Sequence, residues 1–462
     1  MAGFLRATWL CSVTRDDVYC TRAGQILQSI TPFDPDRYLA FLAFVWGHVL
    51  KNTSGRAAFV EAVQGALAPQ ALYRLGQHLS CQLKVRPPQR PILNVQKVAL
   101  IVPYLGAYPH PPTALALHQA RILMEQGIQV EMFSCQDLKV PDMAQFLGGA
   151  ETNVLAPFDI SAWQAHHFPL PMIRQANIQF SMMGRWAQIL KEISSFDPDL
   201  VMSVGFYSPL VEALFQARPV LGLNIHAVAP LDPVDVWLSA FKDDVLELKV
   251  QWDRPLPESV AWHHPYRVRR TPPKSVPTRQ DLGVPEGAMV LVSVGYRLYT
   301  EINGEWASTM VAFCAKHPNI TWLLVGGSGA LPAALASVPA GQIRALPEHH
   351  DIPAVLQCCD IYVNPPRMGG GFSVAEAMAE GLPVVAFKGS DGGDKVGRAA
   401  VDNAEAYFSK LEALMANADL RQKEGDAMRT LFLNTLDLDQ SGSSLLAGCE
   451  LALERFRLRT IA

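Results

Sequence analysis

The chain has 462 residues, of which 49% are hydrophobic and 18% charged, and its formal net charge is −4. That length exceeds one hydrophobic core, so two or three domains are expected, and the composition excludes a disordered chain. The charge balance offers no general attraction to nucleic acid or an anionic membrane, and the eight cysteines have neither zinc-site spacing nor the density of a disulfide scaffold. Met1 to Arg15 lacks the basic start and apolar run of a secretory signal. Tyr38 to Leu50 is too short to span a bilayer, so a cytoplasmic protein is expected.

Residues 1–90 read as helical. "DPDRYLAFLAFVWGHVL" opens on a cap at Asp34 or Asp36, and "SGRAAFVEAVQGAL" and "APQALYRLGQHLSCQL" follow with helical spacing. Trp46 and Phe41 read as core. "KVRPPQRP" (Lys84 to Pro91) reads as a linker. From Lys97 the texture changes. "KVALIV" is a short, continuously apolar run, the pattern of a strand buried on both faces. Thr113 is placed to cap the helix "ALALHQARILMEQ", Gly127 to stop it, and "IQVEMF" is the next strand. "PDLVMSVG", "PLVEALFQA" and "PVLGLNIH" continue the strand–helix–strand rhythm of a parallel sheet. The Pro-, Arg- and Lys-rich stretch Pro265 to Arg279 interrupts it. The rhythm restarts at "AMVLVSVG" and runs through "ITWLLVGG", "GQIRAL", "IPAVLQCC", "DIYVNP" and "PVVAF", and the rest is helical. The expected organisation is a helical region at 1–90, a Rossmann-like domain at 91–270, a second Rossmann-like domain at 280–435 and a C-terminal helix at 436–462.

"NPPRMGGGFSVAEAMAEGLPVV" (Asn364 to Val385) places three glycines at the mouth of a helix expected to start near Ser373. Ligands of parallel α/β sheets bind beyond the carboxyl ends of the strands. Glycine lets backbone N–H groups approach an anion, and a helix N-terminus adds about half a positive charge. The glycines therefore read either as a diphosphate seat or as a plain turn. Glu376 closes an S-x-x-E capping box with Ser373 or accepts two ribose hydroxyls. "GSDGGDKVG" (Gly389 to Gly397) is a second anion nest or a glycine-rich loop, and neither "DGGD" nor "FDPD" reads as a metal site.

"GGGFSVAEAMAEGLPVV" resembles the signature of glycosyltransferase family 4 and its GT-B relatives, a glutamate, seven residues and a second glutamate followed by Ala-Met and Gly-x-Pro-Val-Val. "LLVGG" (Leu323 to Gly327), "HHDIPAVLQCCDIYVNPP" (His349 to Pro366) and "LVSVGYRL" (Leu291 to Leu298) resemble the segments that precede it in that family. The resemblance covers about residues 285–390, weakens over 97–230 and is absent from the first ninety residues. It implies a GT-B α/β fold, two Rossmann-like domains facing across a cleft, with an added helical N-terminal region.

The roles the resemblance implies carry over by position. Glu376 matches the glutamate that binds the donor ribose, and Arg297 the arginine on the donor diphosphate, a task suited to guanidinium. Met368 stands where the family has its first glutamate, and Ile302 where it has a lysine, with Lys388, Lys395 or Arg367 as replacement cations. Glu301 matches an acidic motif position or is a surface or capping residue. Gly295, Gly326, Arg367, Gly369, Gly370, Gly371, Phe372, Ser373 and Lys388 complete the donor-binding set. His226, in "GLNIHAVAP", matches a cleft histidine, with Asn224 on the same face of its strand. Gly106 is the candidate for close approach to donor or acceptor, and His110 is a polar contact or a solvated loop residue. Glu376, His226 and Arg297 form the expected catalytic group.

The implied activity is transfer of a sugar from a nucleotide-diphosphate sugar to a glycan, lipid-linked glycan or protein, with retention of configuration. No tightly bound cofactor and no metal are expected, and no nucleic acid. Peripheral membrane contact and a partner of the helical region are further expectations. Two alternatives stand beside this: an inverting GT-B protein glycosyltransferase, and a catalytically degenerate nucleotide-sugar-binding protein.

Overall fold

A computed structural model describes residues 1–52, 56–67, 69–108, 110–138, 146–149, 158–165, 170–224, 228–240, 259–327, 329–339, 341–347, 351–367 and 369–461. The chain divides into two compact units. The first comprises Met1–Val49, Val60–Pro265 and Leu438–Ala462, the second Leu50–Phe59 and Tyr266–Asp437.

The N-terminal region folds as helices α1 (Ala2–Thr14), α2 (Asp17–Ser29), α3 (Pro35–Asn52), α4 (Arg56–Leu67) and α5 (Pro69–Gln82). Asp16 caps α2 by accepting from the Val18 N–H, satisfying one of the donors every helix start leaves open. α1, α2, α5 and the part of α3 up to Val49 belong to the first unit, where they bury apolar side chains. Phe4 and Phe41 meet edge to face at 5.5 Å, and Trp46 lies 4.6 Å from Phe206. Gly76 of α5 leaves room for Glu212 on the helix Pro209–Phe215, since a Cβ would come within 2.5 Å of the Glu212 Cγ.

The first unit's sheet contains β1 (Lys97–Ile101), β2 (Gln129–Ser134), β3 (Met172–Gln175), β4 (Leu200–Val204), β5 (Val220–Leu223), β6 (Val236–Ser239) and β7 (Val260–His263). Every pairing is parallel, in the order β3-β2-β1-β4-β5-β6-β7. The apolar runs β1, β4 and β5 are central, as their composition requires. The helix Gly442–Ile461 returns to this unit. There Arg459 pairs with Asp235 at 2.6 Å, and the Trp262 indole donates to the Ser444 carbonyl at 2.9 Å.

The second unit holds β8 (Met289–Val294), β9 (Ile320–Val325), β10 (Ile343–Leu346), β11 (Ile361–Val363) and β12 (Val384–Val385), all parallel, in the order β10-β9-β8-β11-β12. Alternation along the strands divides its core in two. Val290, Val292, Leu323 and Tyr362 point to one face, and Leu291, Trp322, Leu324 and Ile361 to the other. Each such burial is worth roughly 1.5–3 kcal/mol, so both faces are closed by helices. Strand order reverses between β8 and β11, which opens a crevice at their carboxyl ends.

Two helix starts differ from the sequence expectation. The helix at the glycine mouth begins at Gly371, with Gly370 as its cap in a left-handed conformation. The helix Pro111–Glu125 begins two residues before Thr113, with His110 at its cap position, because proline is tolerated in a first turn that needs no N–H. No helix among the described residues is long and apolar enough to cross a membrane.

Candidate active site

The carboxyl ends of β8 and β11 bring a chain of charged side chains together in the second unit. Arg367 follows β11 and is 3% exposed. Its guanidinium donates to Asn364 Oδ1 at 2.9 Å, the Val294 carbonyl at 2.9 Å, the Tyr362 hydroxyl at 3.3 Å and Glu301 Oε2 at 3.2 Å. The other oxygen of Glu301 accepts from Arg297 at 2.9 Å. Burial pushes the Glu301 carboxyl upward, but the two guanidiniums outweigh it and hold the group below the usual carboxylate range. Glu301 is therefore a buried anion between two cations, not a surface residue. Arg297, at 36% side-chain exposure, is the cation that faces outward.

Each of the three glycines makes room for a charged side chain of this same unit. A Cβ on Gly369 would sit 2.7 Å from Arg297 Nη2, and one on Gly370 would sit 2.6 Å from Arg367 Nε. One on Gly371 would collide with the Asp391 carboxylate. Gly370 also has φ of 93°, a conformation glycine adopts without strain. Gly295 stands against Arg367 in the same way, at 2.5 Å from Nη1. Gly326, at φ 119°, lets the turn after β9 pass close to Gly295, where a Cβ at 326 would lie 2.9 Å from the Gly295 carbonyl oxygen.

Asp391 already occupies part of the helix mouth. The Gly371 N–H donates to its Oδ2 at 3.1 Å, and Lys395 pairs with its Oδ1 at 3.3 Å. The N–H groups of Gly369, Gly370, Phe372 and Ser373 have no acceptor among the described residues. The Asn364 side-chain amide nitrogen is a further buried donor without one. Ser373 does not form the S-x-x-E box. Its hydroxyl donates to the Gly370 and Val294 carbonyls and accepts from Tyr362 at 2.8 Å, since it lies in the third helical position and not at the cap.

The Glu376 carboxyl is thereby left without a hydrogen bond among the described residues, while its backbone carbonyl accepts from the Glu380 N–H at 3.1 Å. Burial, with Glu380 nearby, lifts its carboxyl to about 7. Glu380 itself is held by Arg270 at 2.9 and 3.1 Å and by Gln357 at 2.7 Å. Phe372 packs part-buried on the core. Lys388 lies at the surface, 2.7 Å from Asp402. Ile302 is 2% exposed among Leu298, Trp306 and Met310, so the position that resembles the family lysine contributes apolar packing and no charge. Met368 lies outside the described residues.

In the first unit, the Gly106 N–H donates to Thr113 Oγ1 at 2.9 Å and its carbonyl accepts from Trp163 at 3.1 Å. His110 is not a solvated loop residue. Its Nδ1 is 2.8 Å from the Thr113 hydroxyl, and burial pushes the imidazole down to about 4, so it is neutral at physiological pH. The Asn224 amide donates to the Val228 and Ala229 carbonyls at 2.9 and 3.3 Å and braces the loop. His226 lies outside the described residues. Asp137, Ser208 and Asp232 were not among the residues expected from the sequence. Ser208 donates its hydroxyl to Asp137 at 2.9 Å and its N–H to Asp232 at 2.8 Å, tying together the loops after β2, β4 and β5. An acidic residue shortly after a strand's carboxyl end is the signal that could have found the two aspartates.

A cavity of about 460 Å³ lies at the opposite end of the second sheet, beside the first residues of β8 and β9. Arg279 and Asp360, which line it, pair at 2.8 Å. It is separate from the charged cluster. Among the described residues no group of three or more acidic, histidine or cysteine side chains is arranged to hold a metal ion.

Residues 289–417 match the family described as glycosyl transferases group 1. No curated protein matches the chain in sequence. Among solved structures the chain is similar to an O-GlcNAc transferase mutant of Thermobaculum terrenum. The two are 12% identical with a TM-score of 0.56, covering 98% of this chain and 94% of that one. It is also similar to a glycosyltransferase of Rickettsia africae ESF-5, at 14% identity and a TM-score of 0.52, covering 78% and 98%. WaaG, a glycosyltransferase involved in lipopolysaccharide biosynthesis, aligns at 11% identity and a TM-score of 0.50, covering 76% and 98%. Similarity at these identities is a similarity of fold, and the shared fold is GT-B.

Proposed function

We propose that the chain is a GT-B glycosyltransferase, a reading supported by the match of residues 289–417 to the glycosyl transferases group 1, and that its second unit holds a nucleotide-diphosphate sugar over the glycine mouth. The single observation that carries this is a set of unused groups at one strand crossover. Four backbone N–H groups and Arg297 stand ready for two phosphates, and the unpartnered Glu376 for two ribose hydroxyls. Arg297, Glu301 and Arg367 together carry one net positive charge, which suits a diphosphate.

Breaking the glycosidic bond places negative charge on the leaving diphosphate. Donors already fixed toward that charge stabilise the transition state without reorganising at the moment of reaction. Arg367 acts through Glu301 to fix Arg297, and the Asn364 and Tyr362 contacts fix Arg367. The first unit supplies the acceptor side, through Gly106, His110, Asn224 and His226. The acceptor is a glycan, lipid-linked glycan or protein, the configuration is retained, and the reaction takes place in the cytoplasm without a metal. A donor-hydrolysis and transfer assay against a panel of nucleotide sugars tests the site. Glu376→Ala and Arg297→Ala each lower turnover or donor affinity about tenfold or more, the scale of a lost charged hydrogen bond. Wild-type rates in both variants contradict the assignment.

A second reading has one observation in its favour. The alignment with the Thermobaculum terrenum O-GlcNAc transferase extends over 98% of this chain, whereas the other two stop at 78% and 76%. The helical N-terminal region then supports a protein acceptor and an inverting reaction. Anomeric analysis of the product separates the two.

A further inference from the structure

The cavity of about 460 Å³ at the amino ends of β8 and β9 takes no part in the donor site, yet it falls within the size range of small-molecule pockets, roughly 300–1,000 Å³. Its wall is of two kinds. Met289, Ile320 and Met415 give it an apolar side, while Arg279, Lys316 and Arg421 stand round it with a single carboxylate, Asp360. With His317 counted as neutral, three cations against one anion leave the lining at +2. Glu412 lies outside the lining. Its Oε1 meets Lys316 at 2.6 Å and His317 at 3.5 Å, and counting it still leaves one net positive charge.

The hydrogen bonds separate the engaged donors from the open ones. Asp360 Oδ1 accepts from Arg279 at 2.8 Å and its Oδ2 from the Val290 N–H at 2.8 Å, so each oxygen of the cavity's carboxylate already has a partner. Arg421, in the first turn of the helix Ala418–Thr435, reaches back to the end of the helix Ala404–Ala416. There its Nη1 donates to the Leu414 and Met415 carbonyls at 2.8 and 2.9 Å. These two carbonyls fix the guanidinium. No carboxylate pairs with it, and its Nε and Nη2 have no acceptor among the described residues. An open Nε–Nη2 edge offers two parallel N–H groups, the fork that takes a phosphate through two oxygens.

We propose that this cavity is a second ligand site, for the phosphate monoester of a small molecule with an apolar body. Arg421 takes the phosphate on its open edge, Arg279 and Lys316 add charge, and Met289, Ile320 and Met415 receive the body. A phosphate monoester carries a charge of about −1.5 to −2 at neutral pH, which matches the lining, whereas a monocarboxylate leaves much of it uncompensated. The inference is independent of the donor site. Arg297, Glu301 and Arg367 gather at the carboxyl ends of the strands, and this cavity lies at the amino ends. The six residues of β8 separate them by about 17 Å at the usual strand rise, so one phosphate cannot touch both.

Calorimetry with phenyl phosphate tests the site, on the full chain and on the Arg297→Ala chain, whose glycine mouth lacks its outward cation. The expected result is one binding event with Kd of about 1 mM or lower, retained in Arg297→Ala. Arg421→Met weakens it about tenfold, the scale of a lost charged hydrogen bond. Lys316→Ala, at a side chain 67% exposed, weakens it about threefold, the scale of a surface charge pair. Inorganic phosphate and benzoate each bind about fivefold or more weakly, one lacking the apolar body and the other the second charge. Circular dichroism checks that Arg421→Met is folded. If it is not, Lys316→Glu at the surface takes its place, with an expected loss of about tenfold. Loss of the event in Arg297→Ala overturns the proposal and assigns the phosphate to the glycine mouth instead. It is also overturned by absence of any event, by unchanged affinity in the variants at 421 and 316, or by inorganic phosphate or benzoate binding as tightly, which marks an adventitious ion only.

Discussion

Gly370 and Arg367 fit each other: a Cβ at 370 would lie 2.6 Å from Nε and 2.7 Å from Cζ of the Arg367 guanidinium. The absent side chain is what lets a buried arginine cross beneath the helix mouth and reach Glu301. Gly370→Ala therefore displaces the guanidinium and also forces alanine to a φ of 93°. The expected loss is about 1–3 kcal/mol of stability, read by denaturant unfolding, together with weaker donor binding.

Glu376 gives the protein a pH signature. Its native pKa of about 7 lies above the unfolded value of about 4.3. The raised group contributes stability that is full below pH 4.3 and lost as pH rises through about 7. Glu376→Gln removes that slope and makes the protein more stable than wild type at pH 8, by about 1–3 kcal/mol. Urea unfolding at pH 5 and pH 8 checks the crossover. The same variant binds donor less well above pH 7, where the wild-type carboxylate is charged and accepts both ribose hydroxyls.

Asp391 competes with any anion for the Gly371 amide. Asp391→Asn keeps an oxygen for that N–H but removes the charge and releases Lys395. Calorimetry with a nucleoside diphosphate should show affinity raised about three- to tenfold, equivalent to roughly 0.7–1.4 kcal/mol. A drop in affinity contradicts a phosphate seat beside Asp391.

Ile302→Lys restores the residue type that the resemblance leads one to expect, yet it places an ammonium among Trp306, Met310 and Leu298. An unpaired charge there is expected to destabilise by about 3 kcal/mol or more. The variant melts lower and transfers no faster than wild type. Arg297 is already the outward cation in this chain.

Much of the fold was legible because parallel strands buried on both faces are apolar runs that need no partner to be recognised. β3 was not, since Met172–Gln175 is an edge strand with exposed side chains. The glycine mouth was legible as special, but its reason was not. Gly370 answers to Arg367 three residues away, and Gly371 to Asp391 twenty residues on, through space and not through local pattern. Glu301 read equally as a surface residue because its two arginines, at 297 and 367, meet only when β8 and β11 lie side by side. Asp137 and Asp232 escaped for the same cause, their shared partner Ser208 being 71 and 24 residues distant.

The most direct test of the central claim is a crystal structure of the protein with a bound nucleoside diphosphate. The account predicts phosphate oxygens within hydrogen-bond distance of the Gly369, Gly370, Phe372 or Ser373 amides and of Arg297, and the ribose hydroxyls on Glu376. A nucleotide bound at another edge of the second sheet, with those amides and the Glu376 carboxylate untouched, would contradict it.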